Sequence, residues 1–199
     1  MKKMKRILKD NSGFSLTELI IVIAIIAIMT AASFVSLTIM HSARAKEAAS
    51  TFENSLAEVI GMAKSKSVDY DMDGSISSDE GSLTIGLRVY KDGGKYYLKK
   101  CVFKKNANGT YSLYDYNSNN AFIKSINEKD GKGACLTSYV KVNYYDEGGT
   151  LSADDQFNIA FNKKGECVQG AGRYEFVKSS SGDKIVSVTV NKNGSYIVK

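Results

Sequence analysis

A run of acidic residues in the middle of the chain has the spacing of a calcium-binding loop. The twelve residues from Asp69 to Glu80 match the complete EF-hand loop pattern. The oxygens in ligand positions belong to Asp69, Asp71, Asp73, Ser75 and Glu80. Hard oxygen donors of this kind suit Ca²⁺, and Gly74 stands where such a loop turns sharply. The spacing therefore predicts Ca²⁺ as a structural cofactor.

This loop has only half of the usual EF-hand surroundings. A helical pattern precedes it and ends near Ser67, but the residues after Glu80 favour a strand rather than a second helix. A single loop is expected to bind calcium weakly, in the range ~10⁻⁴–10⁻³ M that extracellular modules use. The alternative interpretation is a solvated acidic turn that caps the helix and starts the strand.

Residues suited to catalysis are scarce. His41 is the single histidine, so no second imidazole exists for a zinc site. No recognisable motif places a nucleophile beside a base. We therefore predict that the chain is not an enzyme. His41 directly follows the long uncharged stretch that ends at Met40, and we interpret it as a polar residue at the surface of a membrane that this stretch would cross.

The three cysteines lie in the part of the chain that we expect to be exported, where a disulfide can form. Cys135 and Cys167 both lie near turn glycines, so we predict that they pair and leave Cys101 buried in a strand. Spacing alone does not decide connectivity, and three reduced thiols are the alternative.

The first forty residues have the layout of a membrane-anchored, exported protein. Five basic residues oppose one acidic residue in the first thirteen, and such a segment stays on the cytoplasmic side. The uncharged stretch Leu19–Met40 follows, and a helix of this length covers ~33 Å, enough to cross a hydrocarbon core of ~30 Å. Loss of the basic segment lowers the net charge from +6 to +2, so nucleic acid is not a required partner.

Glu18 lies at the entrance of this apolar stretch, where an unpaired carboxylate costs several kcal/mol. A secretory signal peptide is one interpretation of the segment, but its apolar stretch is usually shorter and lacks an acid. A plain uncleaved anchor is a second interpretation, and it leaves Glu18 without a function.

A third interpretation comes from the segment Gly13-Phe14-Ser15-Leu16-Thr17-Glu18-Leu19 and the isoleucine-rich stretch after it. This segment resembles the processing site of type IV prepilins and pseudopilins. The resemblance implies that a prepilin peptidase cuts between Gly13 and Phe14 and methylates the new amine of Phe14. Glu18 would then be the fifth residue of the mature chain. It could pair with the Phe14 amine of a neighbouring subunit in an apolar filament core.

The resemblance implies a structural subunit of a type IV pilus-like filament, either a major or a minor pilin or a pseudopilin. Its partners would be other pilin subunits, the prepilin peptidase, the membrane, and an assembly platform with its ATPase. The filament would lie at the cell surface and serve adhesion, motility, secretion or DNA uptake in competence. The last hairpins resemble those of minor pseudopilins related to the H component of type II secretion. The alternative is an anchored extracytoplasmic binding module that does not polymerise.

The periodicities predict an α+β fold with a long N-terminal helix packed on a C-terminal antiparallel sheet. The helix is apolar in its first half and amphipathic in its second, with Phe52, Leu56 and Ile60 expected under the sheet. Two helices joined near His41 are the alternative. We divide the chain into a cleaved leader, a membrane and filament-core helix, an amphipathic helical continuation and a β-rich head: residues 1–13, 14–40, 41–67 and 68–199.

Overall fold

The structure is a computed structural model that describes residues 15–65, 68–127, 131–137 and 139–199. The predicted leader and both residues of the predicted cleavage site, Gly13 and Phe14, lie outside the described residues. The elements are α1 (Leu16–Ser65), a 3₁₀ helix (Glu80–Ser82), β1 (Leu83–Asp92), β2 (Lys95–Lys105), β3 (Tyr111–Asp115), α2 (Ala121–Ile126), β4 (Ala134–Thr137), β5 (Val140–Tyr145), β6 (Phe157–Phe161), β7 (Cys167–Gln169), β8 (Gly172–Lys178), β9 (Lys184–Val190) and β10 (Tyr196–Val198).

Helix α1 runs for 50 residues without an interruption, as the sequence predicts. The chain contains no proline, and the first glycine after Leu16 is Gly61, so no residue breaks the hydrogen-bond ladder near His41. By contacts the chain forms two units, one up to Met40 and the other from His41 to Lys199.

The first unit contains the apolar part of α1. The segment Leu16–Ser33 has a mean hydropathy of 2.3, and it is the one described helix that is long and apolar enough to cross a membrane. No part of this segment is buried within the chain.

The second unit contains two antiparallel sheets. The larger sheet has six strands, in the order β3-β2-β1-β6-β7, with β4 also paired to β2. The smaller sheet has four strands, in the order β10-β9-β8-β5. This architecture confirms the predicted α+β class with an apolar N-terminal helix and an antiparallel sheet domain.

One core joins residues 45–63 of α1 to both sheets. The Phe52 ring lies 5.0 Å from that of Tyr174 and 5.6 Å from that of Phe176, both on β8. Phe52 and Leu56 are fully buried, and Ile60 packs at the edge of the core. The prediction that this face of the helix lies under the sheet is therefore confirmed.

Several turns of the second unit repeat one pattern. In each turn the glycine N–H donates to the carbonyl oxygen of an Asn or Asp three residues earlier, and the glycine has a positive φ near 81°. Only glycine adopts this φ without strain, which is why these loops end in glycine. The four pairs are Asn106 with Gly109, Asp146 with Gly149, Asn162 with Gly165, and Asn191 with Gly194.

Alternating apolar and polar residues bounded by Gly, Asn and Asp predict eight strands, at residues 83–90, 96–104, 110–116, 139–145, 157–161, 173–177, 184–191 and 195–198. Each coincides with a described strand to within two residues at either end, and the described strands without a predicted counterpart are β4 and β7. These two strands have only four and three residues, too few to show an alternating pattern. The apolar residues Phe122, Ile123 and Ile126 predict a short helix over residues 121–128, with a loop as the alternative. The helix is present and spans Ala121–Ile126.

The predicted disulfide between Cys135 and Cys167 is wrong in this structure, where all three thiols are free. Cys135 lies on β4 at one edge of the larger sheet, and Cys167 lies on β7 at the other edge. Three strands separate β4 from β7, so the two backbones are on the order of 19 Å apart, far beyond disulfide reach. Cys101 is fully buried on β2, as predicted.

Candidate functional site

The first candidate site is the start of α1, where Ser15 and Glu18 form a reciprocal helix cap. The Ser15 backbone N–H donates to Glu18 Oε2 at 2.9 Å, and the Glu18 backbone N–H donates to Ser15 Oγ at 3.2 Å. This is a capping box, which satisfies backbone donors that a helix start leaves free. A serine three residues before a glutamate, ahead of an apolar run, is the sequence signature of a capping box. This signature could have been recognised from the sequence and was missed.

The capping box gives Glu18 a function within its own chain. A plain anchor helix also gives this carboxylate a function, because the cap requires no neighbouring subunit. The cap does not exclude an intersubunit contact, since each carboxylate oxygen can accept more than one hydrogen bond. A cut between Gly13 and Phe14 would leave the Ser15 N–H as an amide, so the cap would survive processing.

The apolar side chains after this cap are exposed on all sides of the helix. Examples are Leu19 at 55%, Ile23 at 58% and Ile26 at 57% exposure. An apolar surface of this extent needs lipid or other protein around it. The start of α1 is thus a capped, uncovered apolar helix.

The second candidate site is the acidic loop after α1. Carboxylate oxygens of Asp69, Asp71 and Asp73 lie within 4.8 Å of one another. Gly74 has φ +86°, so the sharp turn expected at this position is present. The structure therefore brings together three of the five predicted ligands.

The EF-hand pattern predicts that Glu80 binds the cation through both carboxylate oxygens, but in the structure these oxygens accept hydrogen bonds from the loop. Its Oε1 accepts the backbone N–H of Tyr70 at 2.5 Å and that of Asp71 at 3.1 Å, while Oε2 accepts the N–H of Ser77 at 2.9 Å. These hydrogen bonds lower the pKa of the buried Glu80 carboxyl, and the one from the Ser77 N–H has the largest effect. A carboxylate has about four acceptor positions, and three are already occupied. In this conformation Glu80 has one position left for a cation and cannot bind it through both oxygens.

Ser75, the fifth predicted ligand, donates to the cluster. Its backbone N–H and its Oγ both reach Asp73 Oδ1, at 2.7 and 2.8 Å. These hydrogen bonds lower the pKa of Asp73. The pKa of Asp71 is raised, first by desolvation and then by the neighbouring carboxylates of Asp73 and Glu80. Asp69 Oδ1 is buried and has no hydrogen-bond partner among the described residues.

Tyr70 fixes this loop to the rest of the second unit. Its hydroxyl donates a hydrogen bond to Asp115 Oδ2 at the end of β3 and accepts one from Asn120 Nδ2 at 2.8 Å. Its ring packs edge-on against Tyr114, with centroids 5.4 Å apart. The loop is therefore positioned by β3 and by the start of α2 as well as by its own turns.

The fold and the N-terminal segment define the class of protein: a precursor with an apolar N-terminal helix followed by an antiparallel sheet domain of the pilin-like type. The family model described as the prokaryotic N-terminal methylation motif matches residues 8–34. This motif is the hallmark of type IV pilin and pseudopilin precursors, which confirms the resemblance inferred from the residues around Gly13. No curated protein and no solved structure matches the chain at a significant level.

Proposed function

We propose that this chain is a structural subunit of a type IV pilus-like filament. A prepilin peptidase cuts it between Gly13 and Phe14 and methylates Phe14. The chain is then assembled with other pilin subunits, by a membrane platform with its ATPase, through the apolar part of α1. The head formed by the two sheets is exported and displayed, and the chain catalyses no reaction.

One observation carries this proposal: the methylation motif is continuous with a helix whose apolar side chains are uncovered on every side. A membrane covers such a helix in the precursor. After extraction from lipid, the apolar helices of neighbouring subunits would have to replace the lipid. The charge of Glu18 would meet the new amine of Phe14 in that environment, where pairing offsets the cost of both charges.

The test separates the charge of Glu18 from its role as a helix cap. Glutamine also serves at this position of a capping box, so Glu18→Gln keeps the cap and removes the charge. Ser15→Ala removes the serine side of the cap and keeps the charge. We expect Glu18→Gln to be exported normally but to lose assembly, and Ser15→Ala to assemble.

Export is measured by protease accessibility of the head in cells that carry the assembly machinery, and assembly by the amount of subunit in sheared filaments. Glu18→Ala, which loses both charge and cap, is the comparison variant. Filaments of Glu18→Gln at the wild-type level would refute the proposed role of the charge. Absence of the subunit from filaments in wild-type cells would favour the alternative, an anchored binding module that does not polymerise.

We further propose that the acidic loop binds Ca²⁺ as a structural ion. The support is the set of three converging carboxylates together with the unpartnered oxygen of Asp69. Three clustered negative charges repel one another, and a divalent cation removes that repulsion. Asp69, Asp71 and Asp73 would supply most ligands, Glu80 would supply one oxygen, and the Ser75 carbonyl would complete the predicted set. The ion would stabilise the connection between α1 and β1.

Calcium binding is tested by the melting temperature of the full chain in detergent, with Ca²⁺, with Mg²⁺ and with a chelator. We expect Ca²⁺ at about 1 mM to raise the melting temperature of the wild type, and Asp71→Asn to abolish that rise without lowering the value in chelator. Asp79→Asn is the matched control, because the Asp79 side chain makes no capping hydrogen bond and lies outside the ligand pattern. An equal response of both variants to Ca²⁺ would contradict the proposal.

A further inference from the structure

Two like charges lie side by side on the face of the larger sheet that is turned away from α1. Arg88 on β1 and Lys99 on β2 are directly opposite each other in the antiparallel register. Their neighbours Leu87 and Leu98 belong to the core, so Arg88 and Lys99 project from the other face. Directly opposed residues have Cβ atoms about 4.5–5.5 Å apart, and like charges in such a pair are destabilising.

Lys99 is buried, with 3% of its surface exposed. Its Nζ donates to Ser118 Oγ at 2.6 Å, and among the described residues no carboxylate oxygen lies within 4.0 Å of it. A buried lysine is normally paired with an acid, because desolvation of an unpaired ammonium is costly. Burial accordingly lowers the pKa of Lys99.

Arg88 is also without an acidic partner among the described residues. Its guanidinium donates to the side-chain oxygen of Gln156 and lies 4.2 Å from the centroid of the Tyr116 ring. The acid that borders the same cavity is Asp115, whose oxygens already accept the Tyr70 hydroxyl and the Asn117 N–H. Two cations thus share a partly enclosed site with one acid, so one positive charge there has no negative counterpart among the described residues.

The pair lines a cavity of about 500 Å³ with aromatic walls. Tyr90, Tyr114 and Tyr116 contribute the rings, and Tyr90 is stacked on Tyr97 with centroids 5.5 Å apart. Small-molecule sites commonly have this size, with apolar or aromatic walls and a few convergent polar groups. Tyrosine rings offer flat apolar surfaces for the face of a sugar ring.

We propose that this cavity binds a small ligand with an anionic oxygen group, a carboxylate or a phosphate, carried on a sugar-sized ring. The anionic group lies between Arg88 and Lys99, and the ring lies against the tyrosines. The ligand supplies a second negative charge beside that of Asp115, and its charge-assisted hydrogen bonds replace a repulsive contact by attractive ones. The site belongs to a single subunit and is independent of filament formation.

The test is a ligand-detected NMR titration of the full chain in detergent. The two probes are D-glucuronate for the carboxylate source and D-glucose 6-phosphate for the phosphate source, and uncharged D-glucose is the control. We expect saturable binding of at least one acidic sugar with a Kd of about 1 mM, and affinity for glucose at least about tenfold weaker. The stronger of the two acidic probes identifies the source of the anionic group.

The matched variants are Arg88→Gln and Lys100→Met. Lys100 follows Lys99 on β2 but projects from the opposite face, where it pairs with Glu58 of α1. Both variants lose one positive charge from neighbouring strands of the same sheet. We expect Arg88→Gln to weaken binding about tenfold or more and Lys100→Met to leave it unchanged. Circular dichroism confirms that each variant is folded, and Lys99→Met provides a second variant at the site.

Three results would overturn the proposal: no saturable binding of either acidic sugar, equal binding of glucose, or an equal loss in Arg88→Gln and Lys100→Met. The last result would show that binding follows net charge rather than this pair. None of these results bears on filament assembly, which is measured separately with the Glu18 variants.

Discussion

At the scale of single residues, the structure assigns different environments to three cysteines that look alike in the sequence. Cys135 is exposed, whereas Cys101 and Cys167 are buried. Desolvation raises the pKa of Cys101 to about 12 and that of Cys167 to about 11. The thiolate is the reactive form, so the two buried thiols are doubly protected, by lack of access and by lack of ionisation.

We therefore expect an alkylating reagent such as iodoacetamide at pH 8 to modify one cysteine in the folded chain and three after denaturation. Mass spectrometry of the digested protein should locate the single native label at Cys135, and Cys135→Ser should abolish it. A different result would contradict this expectation: Cys135 is protected in the native chain, and the unreduced protein is lighter than the reduced protein by two hydrogens. Cys135 would then be part of a disulfide.

Glu80 shows at the same scale how a side chain can match a motif and still be occupied otherwise. Its position at the end of the twelve-residue pattern predicts a bidentate metal ligand. The structure uses its oxygens to accept three backbone N–H groups of the same loop. A pattern of residue types identifies the loop, but the hydrogen-bond partners of one carboxylate depend on where the backbone folds back.

At the scale of elements, α1 contains two segments with different environments. Its apolar segment is exposed throughout, while its second half supplies a regular row of buried side chains to the core. The helix is needed to cover both sheets, since Phe52 contacts β8 of the smaller sheet and Glu58 pairs with Lys100 of the larger one. The second half of α1 is thus part of the head domain.

Replacement of Phe52 by Ala tests this role. Loss of a fully buried aromatic ring should lower the free energy of unfolding by about 3–5 kcal/mol. Asn54 is exposed on a different face of the same helix, so Asn54→Ala should change the free energy of unfolding by less than about 0.5 kcal/mol. Urea unfolding of the full chain in detergent, followed by circular dichroism, measures both. A loss under about 1 kcal/mol for Phe52→Ala would mean that the helix contributes little to the core.

At the scale of the whole molecule, the proposed processing changes charge and solubility together. Removal of thirteen residues takes five basic side chains and one acidic side chain from the chain, and it leaves a net charge of +2. The new amine of Phe14 would lie near the positive end of the helix dipole, where a positive charge is unfavourable. An acid such as Glu18 of a neighbouring subunit would offset that cost in an apolar filament core.

The mass of the native N-terminal peptide tests the proposed cut between Gly13 and Phe14. We expect a chain that begins at Phe14 with one added methyl group, and loss of the prepilin peptidase should leave residues 1–13 attached. Gly13→Leu should block the cut and keep the protein in the membrane fraction. Cleavage of a secretory signal peptide after Thr30-Ala31-Ala32 would instead give a chain that begins at Ser33. That start, or an intact leader in the wild type, would refute the proposed processing.

The sequence by itself determined the N-terminal motif, the long helix, the α+β class and most strands. These features depend on residues that are neighbours in the chain: the methylation motif, helical and alternating periodicity, and the Asn108-Gly109 and Asn193-Gly194 steps typical of tight turns. The capping box of Ser15 and Glu18 was equally readable and was missed.

Only the tertiary structure decided which distant residues meet. Strand order separates Cys135 from Cys167, and the packing of the loop after α1 against the end of β3 brings Tyr70 to Asp115. The order of strands in a sheet depends on how the whole apolar surface is buried, and no short stretch of sequence determines it. The two-residue turn at Gly93-Gly94 is a local signal for the β1–β2 hairpin and its register, so the opposition of Arg88 and Lys99 was readable from the sequence. The sequence does not show that residues after β3, such as Tyr116 and Ser118, close over this pair and form the cavity.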